Sequence, residues 1–170
     1  MKTKTMLATI AAALLSLAAA AQAPQPAADP MGPFKWFGGL AGACWKGDHP
    51  DGKTSDTQCF QKQYNRFVRG TIKIASGPNV FEGDSLFWWD AKNNKVGYTQ
   101  WASNGFVHTS EAAFEGDKLV FLDRPKAGTT DVNGRAVWTR VDANTYQVSR
   151  EQRDGPNWKS QFLVVYKRTK

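Results

Sequence analysis

Short runs with strand character recur along most of this chain, separated by clusters of turn-forming residues. The runs cover 40–47, 55–62, 66–75, 80–90, 95–103, 106–114, 118–124, 135–141, 145–151 and 158–168. Between them stand SGPN, KNN, NG, EGD, DAN and DGPN, which supply glycine for positive φ and Asn or Asp for local backbone hydrogen bonds. No segment beyond the first 33 residues holds a 3.6-residue apolar period long enough for a core helix, although FKWFGG suits one short helical turn. Antiparallel strands joined in sequence by tight turns predict an all-β domain. An up-and-down barrel of about ten strands is favoured because closure leaves no exposed sheet edge. A two-sheet sandwich is the alternative.

The N-terminus breaks the pattern. Lys2 and Lys4 precede the uncharged run MLATIAAALLSLAAAA, which ends in small residues. A basic start, a short apolar centre and an alanine-rich end are the marks of a secretory signal peptide. Cleavage after Ala21 or after Ala23 fits; the second leaves Pro24 at the new terminus, so residues 1–21 are taken as the signal. Residues 22–33, rich in Pro and Ala, read as a flexible leader, and 34–170 as the barrel domain. The apolar run is too short to span a bilayer comfortably and no cysteine sits at the cut. A periplasmic or secreted protein without a transmembrane anchor is expected.

Loss of 21 residues from 170 leaves 149, enough for one domain with a substantial core. The formal charge of +7 falls to +5, since Lys2 and Lys4 leave with no acid. Basic residues are interspersed with acids rather than clustered, which argues against a nucleic-acid partner. All seven tryptophans and all ten phenylalanines lie beyond the signal, so aromatic rings must fill a core, line a pocket, or both.

Only Cys44 and Cys59 are present. A hairpin turn at Asp51-Gly52 sets them directly opposite each other on adjacent strands, within reach of a disulfide. Export supplies the oxidising compartment such a bond needs. A zinc site with His49 matches no common ligand spacing, and no C-x-x-C redox motif occurs. No metal site and no cofactor are expected. The related segments FEGDSLFWWD (81–90) and FEGDKLVFLD (114–123) offer too few clustered oxygens for calcium, and both read as a turn followed by a strand.

Hairpin register also sorts side chains by face. A two-residue turn at Asn104-Gly105 sets Trp101 opposite His108, with small residues between this pair and the strand ends. Turns at 142–145 and at Asp154-Gly155 put Trp138, Arg140, Glu151, Trp158 and Phe162 on one face. Together, Trp101, His108, Trp138, Arg140, Glu151, Trp158 and Phe162 form a candidate ligand-binding wall, with Arg140 paired to Glu151. The rival assignment makes the tryptophans a packed core and turns the Arg140–Glu151 pair to solvent. No nucleophile elbow, zinc-protease helix motif, phosphate loop or dinucleotide fingerprint occurs, so the expected protein is not an enzyme.

The stretch FGGLAGACWKG, followed by VFEGDSLFWWD, VGYTQWASNGF and a closing VVYKR, resembles calycin-like, lipocalin-type exported bacterial proteins of uncharacterised function. The resemblance covers nearly the whole chain after the leader and implies a barrel without implying an activity. It also implies that Trp45 sits at the barrel base, covered by Arg168 from the last strand. Three functions follow. The first is non-catalytic binding of a small apolar or amphipathic ligand inside the barrel. The second is an envelope interaction or inhibitor protein acting through loops, above all 123–135. The third is a haem-binding barrel similar to the nitrobindins, with His108 as axial ligand. Those proteins carry their histidine near the chain end, and no histidine follows His108.

Overall fold

A computed structural model describes residues 32–125 and 127–169. The expected signal peptide and most of the leader lie outside those residues. The described chain is all-β apart from one short plug. It forms β1 (Ala43–Asp48), β2 (Thr54–Gln63), β3 (Phe67–Ser76), β4 (Asn79–Asp90), β5 (Lys95–Ala102), β6 (Val107–Glu115), β7 (Lys118–Leu122), β8 (Gly134–Asp142), β9 (Thr145–Asp154) and β10 (Asn157–Thr169). Each strand pairs antiparallel with its sequence neighbours, and β1 pairs with β10 to close the barrel. Among the described residues no helix is long and apolar enough to cross a membrane.

The plug closes the end from which β1 departs. A 3-10 turn at Gly32–Phe34 leads into a single helical turn at Lys35–Gly38, so the end of the segment read as leader belongs to the plug. Phe34, Phe37 and Leu40 are fully buried. The Phe37 ring sits 4.6 Å from Phe87, 5.2 Å from Phe60 and 5.7 Å from Trp138, joining three strands across the barrel. Beside it Trp45 donates from Nε1 to the Leu40 carbonyl at 3.0 Å, so the polar end of a wholly buried indole is satisfied. Trp45 lies opposite Arg168 in the ladder, and the guanidinium stands 5.8 Å from the indole centroid.

Three register differences change which side chains face inward. The β5–β6 loop holds three residues, Ser103 to Gly105, with Gly105 at φ 81°. A three-residue loop ending in a left-handed glycine shifts the partner by one. Trp101 therefore faces Val107, and Gln100 faces His108. On β8 the turn places Asp142 opposite Thr145 as expected, but a bulge between Arg140 and Asp142 moves the rest of the ladder by one. A second bulge, between Ser160 and Phe162, divides β10. Each bulge inserts an unpaired residue and reverses the facing of everything beyond it. The two FEGD segments are not equivalent either: Glu82–Asp84 lies within β4, whereas Gly116-Asp117 forms the β6–β7 turn.

Cys44 and Cys59 stand opposite each other and are disulfide-bonded, on the face of β1 and β2 opposite Trp45 and Phe60. Replacing both by alanine should lower stability by about 3 kcal/mol, the chain-entropy value for a loop of this length, with the β-sheet circular dichroism retained. Urea unfolding measures the first effect. Arg168→Ala should cost about 1 kcal/mol, the magnitude of an exposed cation–π contact, read as a lower melting temperature.

Candidate functional site

Above the plug the barrel is not filled. A cavity of about 420 Å³ runs to the mouth, within the range of ordinary small-molecule sites. Its floor is a connected series of rings. Trp138 lies 6.1 Å from Phe60 and 5.3 Å from Phe121; Phe121 lies 5.2 Å from Tyr98, which stacks 5.6 Å from Phe87. These residues come from β2, β8, β7, β5 and β4, all inward positions of the observed registers. Ser85, Gln100 and His108 form one polar row across β4, β5 and β6, and Asp123, Arg124 and Arg150 add charged groups to the lining.

At the mouth, polar groups differ in how well they are satisfied. Arg150 makes a bidentate contact with Asp123: Nη1 donates to Oδ1 at 2.7 Å and Nη2 donates to Oδ2. Gly134 makes room for this pair, because a side chain there would overlap the Asp123 carboxylate. The His108 ring stacks on Phe106 at 5.8 Å and meets the edge of Tyr98 at 5.5 Å. Its Nδ1 is buried without a hydrogen-bond partner. Burial, reinforced by the nearby Arg124 charge, pushes the imidazole pKa below its usual value. Burial likewise raises the Tyr98 phenol.

Of the seven residues expected on a binding wall, the structure brings two into the cavity lining, His108 and Trp138. Trp101 belongs to the other face of β5 and is 43% exposed. Arg140 lies at the base, its guanidinium against the Gly39 backbone where a Cβ would collide with it. Glu151 does not pair with Arg140. It accepts from Arg135 Nε at 2.7 Å on the outer wall. Trp158 is outside as well, with Arg153 and Arg135 at 4.2 and 4.5 Å from its ring. Phe162 turns back inward after the bulge but packs on His49 at 5.6 Å, apart from the cavity lining. The missed residues include Tyr98 and Gln100, which a one-residue shift at the Asn104-Gly105 hairpin exchanges for Trp101. Arg150 is missed for the same kind of reason, since the β8 bulge brings it opposite Ala136.

Gln58 connects the cavity to a second buried cluster. Its Nε2 donates to Asp56 Oδ2 at 3.0 Å, and its Oε1 accepts from the Tyr146 hydroxyl at 3.1 Å. The Tyr166 hydroxyl donates to the same Asp56 oxygen at 2.5 Å. The other oxygen, Oδ1, is buried without a partner. Desolvation raises the Asp56 pKa, and the hydrogen bonds from Tyr166 and Gln58 only partly offset it. Among the described residues no group of His, Cys, Asp and Glu could hold a metal ion. No protein-family model and no curated protein sequence matches this chain.

The Asp56 pKa is raised on folding, so the native state holds its proton to higher pH than the unfolded chain does. Stability from this group therefore falls as pH rises from the ordinary carboxylate range through the elevated value. Asp51, Asp90 and Asp142 are lowered by local hydrogen bonds and act in the opposite direction. Asp56→Asn keeps an acceptor for Tyr166 and removes the titration. Melting temperatures across the acid-to-neutral range should show the variant gaining on the wild type as pH rises. A constant difference between them at every pH would overturn the assignment.

Proposed function

We propose that this chain is an exported, calycin-like barrel that holds a small, largely apolar molecule with one polar end and performs no chemistry on it. The observation that carries this reading is the distribution of polarity within one cavity. Rings from five strands form one part of the lining, and Gln100, His108, Asp123, Arg124 and Arg150 bring hydrogen-bonding and charged groups to another. Such a gradient suits an amphipathic occupant, whose apolar body gains from leaving water while its polar end keeps partners. A periplasmic or secreted location is supported by the signal-like N-terminal sequence and by the disulfide, a bond that persists in oxidising compartments.

Phenylnaphthylamine, a neutral fluorescent ring pair, tests the reading. It should bind with one-to-one stoichiometry and a Kd on the order of micromolar, quenching tryptophan emission through Trp138. Gln100→Trp, which fills the cavity from its wall, should abolish binding while leaving the circular dichroism unchanged. A folded wild type that takes up no probe would overturn the proposal and favour recognition of a protein partner through loop 123–135. A Soret band on titration with haemin would favour haem as the occupant instead.

A further inference from the structure

Two arginines stand at the cavity mouth in different electrostatic states. Arg150 is engaged by both oxygens of Asp123. Arg124 lines the same cavity and makes no hydrogen bond or ion pair among the described residues. The mouth therefore holds one positive charge in excess of its internal pairing. Beside that charge His108 lines the same cavity, its ring held by Phe106 and Tyr98.

We infer that the polar end of the occupant is a single anionic group, carboxylate or sulfonate in type, received by Arg124 beside His108 while the apolar body rests on the aromatic floor. The inference rests on the cavity reading above and specifies its ligand class. A neutral polar end would find enough hydrogen bonding at Gln100 and would leave Arg124 unmatched. An anion meets an exposed guanidinium that no carboxylate among the described residues occupies. Arg150 contributes little while Asp123 holds it. Asp123 thus limits how much positive charge the mouth offers.

Two probes that differ by one group test this. Anilinonaphthalene sulfonate carries the same pair of rings as phenylnaphthylamine, with an added sulfonate. Arg124→Gln should weaken sulfonate binding about tenfold and leave the neutral probe within about twofold. His108→Phe, which keeps the ring packing and removes both nitrogens, should weaken the sulfonate by roughly threefold. Asp123→Asn releases Arg150 and should tighten the sulfonate several-fold. Arg153→Gln, on the outer wall, should change neither probe and controls for surface charge. Equal losses for both probes in Arg124→Gln, or an equal sulfonate loss in Arg153→Gln, would overturn the acid assignment. If the neutral probe binds and Arg124→Gln is silent, the acid inference alone falls. If neither probe binds the wild type, the cavity reading falls with it.

Discussion

A ten-strand barrel encloses more space than its inward side chains can close over, and the rest of this structure follows from how that space is used. Barrel diameter grows with strand number, and eight strands already leave an interior that side chains only just fill. Here the lower part is occupied by a segment that is not part of the sheet. Phe34, Phe37 and Leu40 enter from the plug, and Phe37 touches rings from β2, β4 and β8 at once. Among the described residues the upper part has no such insert. The cavity is the remainder of that filling, and its floor is the upper surface of the plugged core.

This arrangement gives the aromatic residues two functions. Phe60, Phe87 and Trp138 contact Phe37 below and line the cavity above. Core packing therefore rigidifies the floor, and a flat, rigid apolar surface favours binding because little side-chain freedom is lost when a ligand arrives. The polar groups are placed with comparable economy of contact. Tyr146 and Tyr166 stack at 4.5 Å and use both hydroxyls on the Gln58–Asp56 pair. A buried carboxyl in that setting is held by hydrogen bonds rather than by a countercharge, which is why desolvation dominates its pKa.

The outer wall is organised by cross-strand pairs. The disulfide joins β1 to β2 beside the closing seam. Arg69–Asp84, Lys73–Glu82 and Lys95–Glu111 link neighbouring strands further round. Trp88 covers Gly97 from outside, where a side chain on residue 97 would displace the indole. Trp158 is flanked by the guanidiniums of Arg135 and Arg153, and Arg135 is in turn tied to Glu115 and Glu151. Part of the heavy aromatic content thus reinforces the wall rather than lining the cavity.

Strand number, strand order, the closed barrel, the helical turn and the Cys44–Cys59 pairing were legible in the sequence. Each depends on local signals: turn residues, short apolar runs, and one hairpin whose register the Asp51-Gly52 turn sets by itself. Of the residues expected on one wall, His108 and Trp138 line the cavity. Trp101, Glu151 and Trp158 face away from the cavity because facing accumulates along a strand, whereas Arg140 lies against Gly39 at the base and Phe162 faces inward beside His49. One extra residue in the Ser103–Gly105 loop, or one unpaired residue at Val141 or Gln161, reverses every side chain beyond it. Nothing local marks those bulges. They accompany the curvature that ten strands must adopt to close. Local chemistry determined that a barrel forms, and only the closing of that barrel decided which residues it turns toward its cavity.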